Sequence, residues 1–192
     1  MFYRATVENN NDPQQYGRVQ VRIHGIHDSG SSVSTSALPW AEVAGGTDFG
    51  LVDGVGITSV LRIGTLVWCF LNYDDPNYPV IFAVIKGSSD INSTAKGSYT
   101  NIATLKTASG HLIQLGDAGG AENIKITHKS GTYIEFLPDG SITMEVKTNL
   151  NINTTGNTEI KTTGEVKQIT TGSHKLQSGP NLDIDAGTIY LN

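Results

Sequence analysis

The sequence predicts an all-β chain in two parts, a small closed barrel followed by an intertwined three-chain β-helix. Three observations carry that prediction. Apolar and polar residues alternate at period two in short runs, and Gly, Pro, Asn and Asp punctuate those runs. The chain then settles into an eight-residue word, NLNINTTG NTEIKTTG EVKQITTG, closing on Gly156, Gly164 and Gly172. Composition agrees: 22 of 192 residues are Gly and only 16% are charged, with Thr, Asn, Ser and Ile crowding the second half, which is the usage of exposed or stacked strands. Very little helix is expected.

The first alternating run is Gly17 to Ile23, with Val19, Val21 and Ile23 on one face and Arg18, Gln20 and Arg22 on the other. A polar loop from Asp28 to Ser36 leads to LPWAEV at Leu38 to Val43, and a Gly-rich run extends from Gly45 to Gly56. Two strongly apolar strands follow, Leu66 to Leu71 and Val80 to Ile85, joined by the turn DDPNYP. Five or so strands in about 90 residues suit a small barrel. A barrel is therefore assigned to 1–95 and a linker to 96–108, on the composition of GSSDINSTAKG.

Beyond the linker, His111 to Leu115, Ile124 to Ile126, Tyr133 to Phe136 and Ser141 to Val146 alternate strictly and are separated by GDAGGAE, KSG and LPDG. From Ile134 the register is read as locked to eight, and 109–192 is assigned to the β-helix. Octet phase places Ile142, Met144, Leu150, Ile152, Ile160, Val166, Leu176, Leu182 and Ile184 inward, and Asn149, Asn151, Asn153, Glu159, Lys161 and Lys167 outward. Each octet holds one strand of about six residues and a turn, too little to enclose a core when single-chain solenoids use roughly 18 or more residues per coil. Three chains wound together, each supplying one side of a triangular rung, solve the problem.

The ordered set GRVQVRIHGIHD, LPWAEV, a Gly-rich loop, RIGTLVWCFLNYDDPNYPVIFAVIKG, SGHLIQLGD, HKSGTYIEFLPDGSITMEV and the glycine-closed octets resembles the central spike proteins of contractile phage tails. These form the baseplate assembly protein V family, related to the spike part of type VI secretion VgrG. The resemblance covers nearly the whole chain. It implies an N-terminal oligonucleotide/oligosaccharide-binding (OB) barrel and a C-terminal trimeric triple-stranded β-helix. It also implies a homotrimer in the virion baseplate, docked through its barrel on a hub protein beneath the tail tube and driven through the host outer membrane when the sheath contracts. Two departures matter. Where some relatives carry a lysozyme domain between barrel and spike, only the short linker stands here, so no muralytic activity is implied. Simple family members end in a His-x-His motif that binds iron at the apex, whereas this chain ends AGTIYLN.

Enzymatic readings find little support in the residues. The five histidines, His24, His27, His111, His128 and His174, form no metal-ligand spacing beyond His24-x-x-His27, and they read as surface or loop residues. Asp74 with Asp75 sits in a turn, and Asp183 with Asp185 lies on the outer face of the repeat, so both pairs read as solvated. The Gly-rich run lacks the Lys and Ser or Thr of a phosphate cradle. The single Cys69, in LVWCFL, reads as a buried strand thiol. No cofactor is expected. A net charge of -5 without a basic patch disfavours nucleic acid. No run approaches the roughly 20 apolar residues of a membrane-spanning helix, and MFYRATVENN lacks a signal peptide's apolar core, so synthesis in the host cytoplasm is expected.

Octet phase turns Gln168 and His174 inward. The plain reading is a polar layer holding water or a small anion; the sharper one is an ion held by three copies of His174. At the end of the chain, Ile189 and Leu191 fall on the outward phase, and three copies of Thr188, Ile189, Tyr190, Leu191 and Asn192 would leave strand edges and apolar side chains exposed. Resemblance to spikes without an apex metal motif implies a separate conical cap of the PAAR-repeat type on these residues; the alternative is that Ile189 and Leu191 tuck against neighbouring chains and the trimer ends unaided. Two functions stand side by side: a membrane-piercing structural spike and a trimeric receptor- or glycan-binding fibre. A glycan binder should show outward aromatic platforms. From Thr148 onward the repeats carry only Tyr190, which favours the spike.

Overall fold

The computed structural model describes residues 1–27, 33–45, 53 and 56–186. The chain divides into two units, Met1–Lys147 and Thr148–Asn192.

Five strands make the barrel: β1 Phe2–Asn9, β2 Val19–Ile23, β3 Trp40–Val43, β4 Leu66–Leu71 and β5 Pro79–Val84. They close in the order β1-β2-β3-β5-β4. Neighbours run antiparallel except β3 and β5, which are parallel, and β1 seals the barrel by pairing Tyr3 with Cys69 and Ala5 with Val67. The core is Ala5, Val7, Val19, Val21, Ile23, Ala41, Val67, Cys69 and Ile81, all buried. Small and β-branched side chains at alternate positions fill the interior of a narrow barrel without polar atoms. The strand β1 is absent from the sequence reading, although Tyr3, Ala5 and Val7 carry the same alternation as β2. The Gly-rich run expected from Gly45 to Gly56 falls mostly outside the described residues.

The connection after β5 holds one short helix, α1 Ser93–Gly97, capped by Asn92, whose side chain accepts from the Ala95 amide at 3.0 Å. The Asn92 side-chain nitrogen donates to Thr104 Oγ1 at 2.7 Å. Thr104 belongs to β6 Ile102–Lys106, a strand inside the stretch 96–108 expected as linker. Its alternation was hidden because the inward and outward sets mix Ala and Thr with only two large apolar residues.

A five-stranded antiparallel meander follows, β6 with β7 Leu112–Gly116, β8 Asn123–Thr127, β9 Tyr133–Phe136 and β10 Ile142–Glu145 in sequential order. This corrects the octet reading of Ile134 to Val146. Ile134 faces Met144, and Phe136 faces Ile142, across an antiparallel pair, so the step of eight spans a chain reversal rather than one turn of a coil. Backbone conformation separates the two cases. Gly131 and Gly140, in the turns, sit at φ +89° and +83°, where a hairpin needs a left-handed residue, whereas Gly156, Gly164 and Gly172 take no such conformation. The repeat proper therefore begins after Lys147. Among the described residues of 148–186 no strand is assigned and every side chain is exposed in the single chain.

Candidate assembly interface

The registers of the meander sort its side chains into two unlike faces. On one face, Ala103, Leu115, Ile124, Phe136 and Ile142 form a row across all five strands, and Leu105, Ile113, Ile126, Ile134 and Met144 form a second. The nine large residues of these rows are exposed in the single chain, from Ile134 at 38% to Ile142 at 62%. An uninterrupted apolar face of this extent is an association surface by its chemistry.

The opposite face mixes Ile102, Leu112 and Tyr133 with polar side chains, several of which bond to one another. Gln114 donates to Asn123 at 3.1 Å, Asn123 donates to Glu135 at 2.7 Å, and Lys125 Nζ lies 2.7 Å from the other Glu135 oxygen. The Lys125 ammonium also sits 3.8 Å from the Tyr133 ring centroid. Lys125 and Asn123 hold the Glu135 carboxyl below its ordinary value. Lys147 pairs with Glu145 at the end of the same strand set. Gln114, Asn123, Lys125, Glu135, Glu145 and Lys147 thus find partners within this region.

In the second unit, the residues that octet phase turns inward are among the most open apolar side chains of the chain. Leu150, Ile152, Ile160, Val166, Leu176, Leu182 and Ile184 are 56% to 80% exposed. Ile142 and Met144, from the same inward set, lie in the two apolar rows of the meander. Gln168 and His174 are exposed. Thr188, Ile189, Tyr190, Leu191 and Asn192 lie outside the described residues.

The barrel carries a third apolar surface, which sequence reasoning missed. Outward positions of β1, β4 and β5 bring Phe2 and Phe82 to 5.1 Å between ring centroids and Phe70 and Phe82 to 6.3 Å, with Arg4 over the Trp68 ring. The signal was present, since these are the alternate positions to the buried Ala5, Val67, Cys69 and Ile81.

The histidines hold structural partners. His24 Nε2 lies 2.9 Å from Thr6 Oγ1, and His27 Nδ1 accepts from the Ile23 amide at 3.1 Å. Burial, with Arg22 nearby, lowers the His27 pKa. The rings of His111 and His128 stand 4.5 Å apart across the β7–β8 pair. Among the described residues no group of three or more His, Cys, Asp or Glu is placed to hold a metal ion, and no helix is long and apolar enough to cross a membrane.

A strand order of β1-β2-β3-β5-β4 with one parallel contact is the Greek-key arrangement of an OB barrel. Residues 3–85 match the family of type VI secretion system/phage-baseplate injector OB domains. The barrel is thus similar to the OB domains of this family. Over 58 residues it is 38% identical to the pre-baseplate central spike protein Gp5 of Enterobacteria phage T4. That match covers 30% of this chain and 10% of the T4 protein. The injector barrel is followed here by the meander and the octets, for which the family match supplies no counterpart.

Proposed function

We propose that this chain is one subunit of a homotrimeric central spike in a contractile-tail baseplate, a structural, non-enzymatic device driven through the host outer membrane on sheath contraction. The observation that carries the proposal is the doubly unpartnered apolar surface: two rows across the meander, then an aliphatic residue or two in most octets, all open in a single chain. Burying each such side chain contributes about 1.5–3 kcal/mol, a gain that one chain forgoes and three chains packed about a common axis recover. In this reading the apolar faces of three meanders pack against one another, and the octets of three chains wind together as a triple-stranded β-helix. Hydrogen bonds along the axis supply stiffness, which is what a rod under compression needs. The barrel seats on a hub protein beneath the tail tube, and a PAAR-type tip covers Thr188 to Asn192, leaving the whole in the virion baseplate.

Substitution of the octet interior tests this. Ile152→Asp or Ile160→Asp sets three unpaired carboxylates beside one axis and should abolish the trimer, at about 2 kcal/mol or more per chain. Asn151→Asp, facing water, should leave it intact. Equal effects of the inward and outward changes would refute the octet phase and with it the β-helix.

A further inference from the structure

The meander carries a pair of histidines that the spike reading does not use. His111 closes the turn from β6 to β7, where its carbonyl accepts from the Thr107 amide at 2.9 Å, and His128 opens the turn from β8 to β9, where its amide donates to the Thr132 carbonyl at 2.8 Å. Both turns stand at one end of the sheet. Leu112 pairs with Thr127, so the next cross-strand pair is His111 with His128, on the same side as Ile113 and Ile126. A polar row of Thr107, His111, His128 and Thr132 thus ends the apolar rows.

The pair has the spacing of a chelate. Two imidazoles bound to one metal ion at about 2.1 Å hold their ring centroids roughly 4.5 to 5 Å apart. Those of His111 and His128 stand 4.5 Å apart, and a tilt of 54° keeps the rings from stacking face to face. A cleft of about 330 Å³, walled by Leu105, Ile113 and Ile126, opens against both rings and limits the access of bulk water to an ion held there. Ser130 supplies the outer support. Its hydroxyl lies 2.8 Å from His128 Nδ1, and its amide donates to the same nitrogen at 3.1 Å. A metal on Nε2 leaves the ring proton on Nδ1, which then donates to the hydroxyl while the amide gives up its bond to the ring.

We propose that His111 and His128 together bind one divalent transition-metal ion of the zinc type, with water in its remaining positions. Ligand chemistry selects the ion. Neutral imidazole suits Zn²⁺ and Ni²⁺, whereas Mg²⁺ and Ca²⁺ take oxygen, and the lining of the cleft holds no carboxylate to offer them. The pair lies within one meander, so this site does not rest on the spike reading.

Calorimetric titration of the untagged full chain with Zn²⁺ should show one ion per chain at a dissociation constant on the order of 10 µM, weaker than that of a four-ligand structural site. His111→Gln or His128→Gln should each weaken it at least about tenfold, while His24→Gln and a roughly hundredfold excess of Mg²⁺ should leave it unchanged. In the unaltered protein, Zn²⁺ should shift the imidazole NMR signals of His111 and His128 together and spare those of His24 and His27, a readout that needs no variant to fold. No binding up to about 1 mM Zn²⁺, binding that both variants retain, or shifts confined to His174 would overturn the proposal. A trimer that takes up no Zn²⁺ would sink this site alone, and a monomer that binds it would sink the spike reading alone.

Discussion

At the scale of single residues, Asp12 shows how much depends on a side chain that no pattern singled out. It is nearly buried, and its carboxylate knits the loop between β1 and β2 by accepting from Gln14, Tyr16 and Arg18. The Arg18 guanidinium and these amides push its pKa far below the ordinary 3.8. A carboxyl whose folded pKa is depressed contributes stability that is present above the unfolded value and is lost as pH falls toward the folded one. Asp12→Asn should therefore lower the thermal midpoint by a constant amount between about pH 5 and 7, and the gap to the parent should close as pH drops below about 4. A gap unchanged down to about pH 2 would contradict this role. Cys69 makes the opposite case, a residue whose environment was plain from LVWCFL. Burial pushes its thiol up to about 11, so it should resist a thiol reagent at pH 8 until the protein unfolds. Rapid labelling of the native protein would show the barrel open at β4.

At the scale of elements, strands were readable wherever large apolar residues alternate with polar ones, as in Val19 to Ile23 or Tyr133 to Phe136. They were missed where the alternation is carried by small or mixed residues, as in β6 and around Ala5 in β1. The octet period was extended too far toward the N-terminus because the β9–β10 hairpin also sets two residues of one face, Ile134 and Ile142, eight positions apart. Pairing direction is not in the period. It lies in the turn, where Gly140 takes a left-handed φ and Gly156 does not. The meander's two faces give an element-scale prediction. Ile126→Asp, on the apolar face, should prevent trimer formation in a concentration series followed by light scattering. Lys106→Glu, exposed on the opposite face, should leave the association unchanged. Equal loss from both would assign the meander no part in the interface.

At the scale of the whole molecule, the family match covers the barrel, and the meander and octets must be argued from their own side chains. Those side chains agree with one another: the meander puts Ile134, Phe136, Ile142 and Met144 on one open face, and Leu150, Ile152, Ile160 and Val166 continue an apolar set that one chain leaves in water. A candidate site of this kind was partly readable in sequence, because phase identifies which residues want burial. It was not readable which surface would bury them, since none of the described residues of one chain does so. The measurement that bears most directly on the account is the native mass of the full chain, followed before and after warming in dodecyl sulfate. A species of three times 20.5 kDa that survives the detergent at moderate temperature is the expected result, because intertwined chains have no folded single-chain spike to fall back on. A stable, folded 20.5 kDa monomer at micromolar concentration would contradict it.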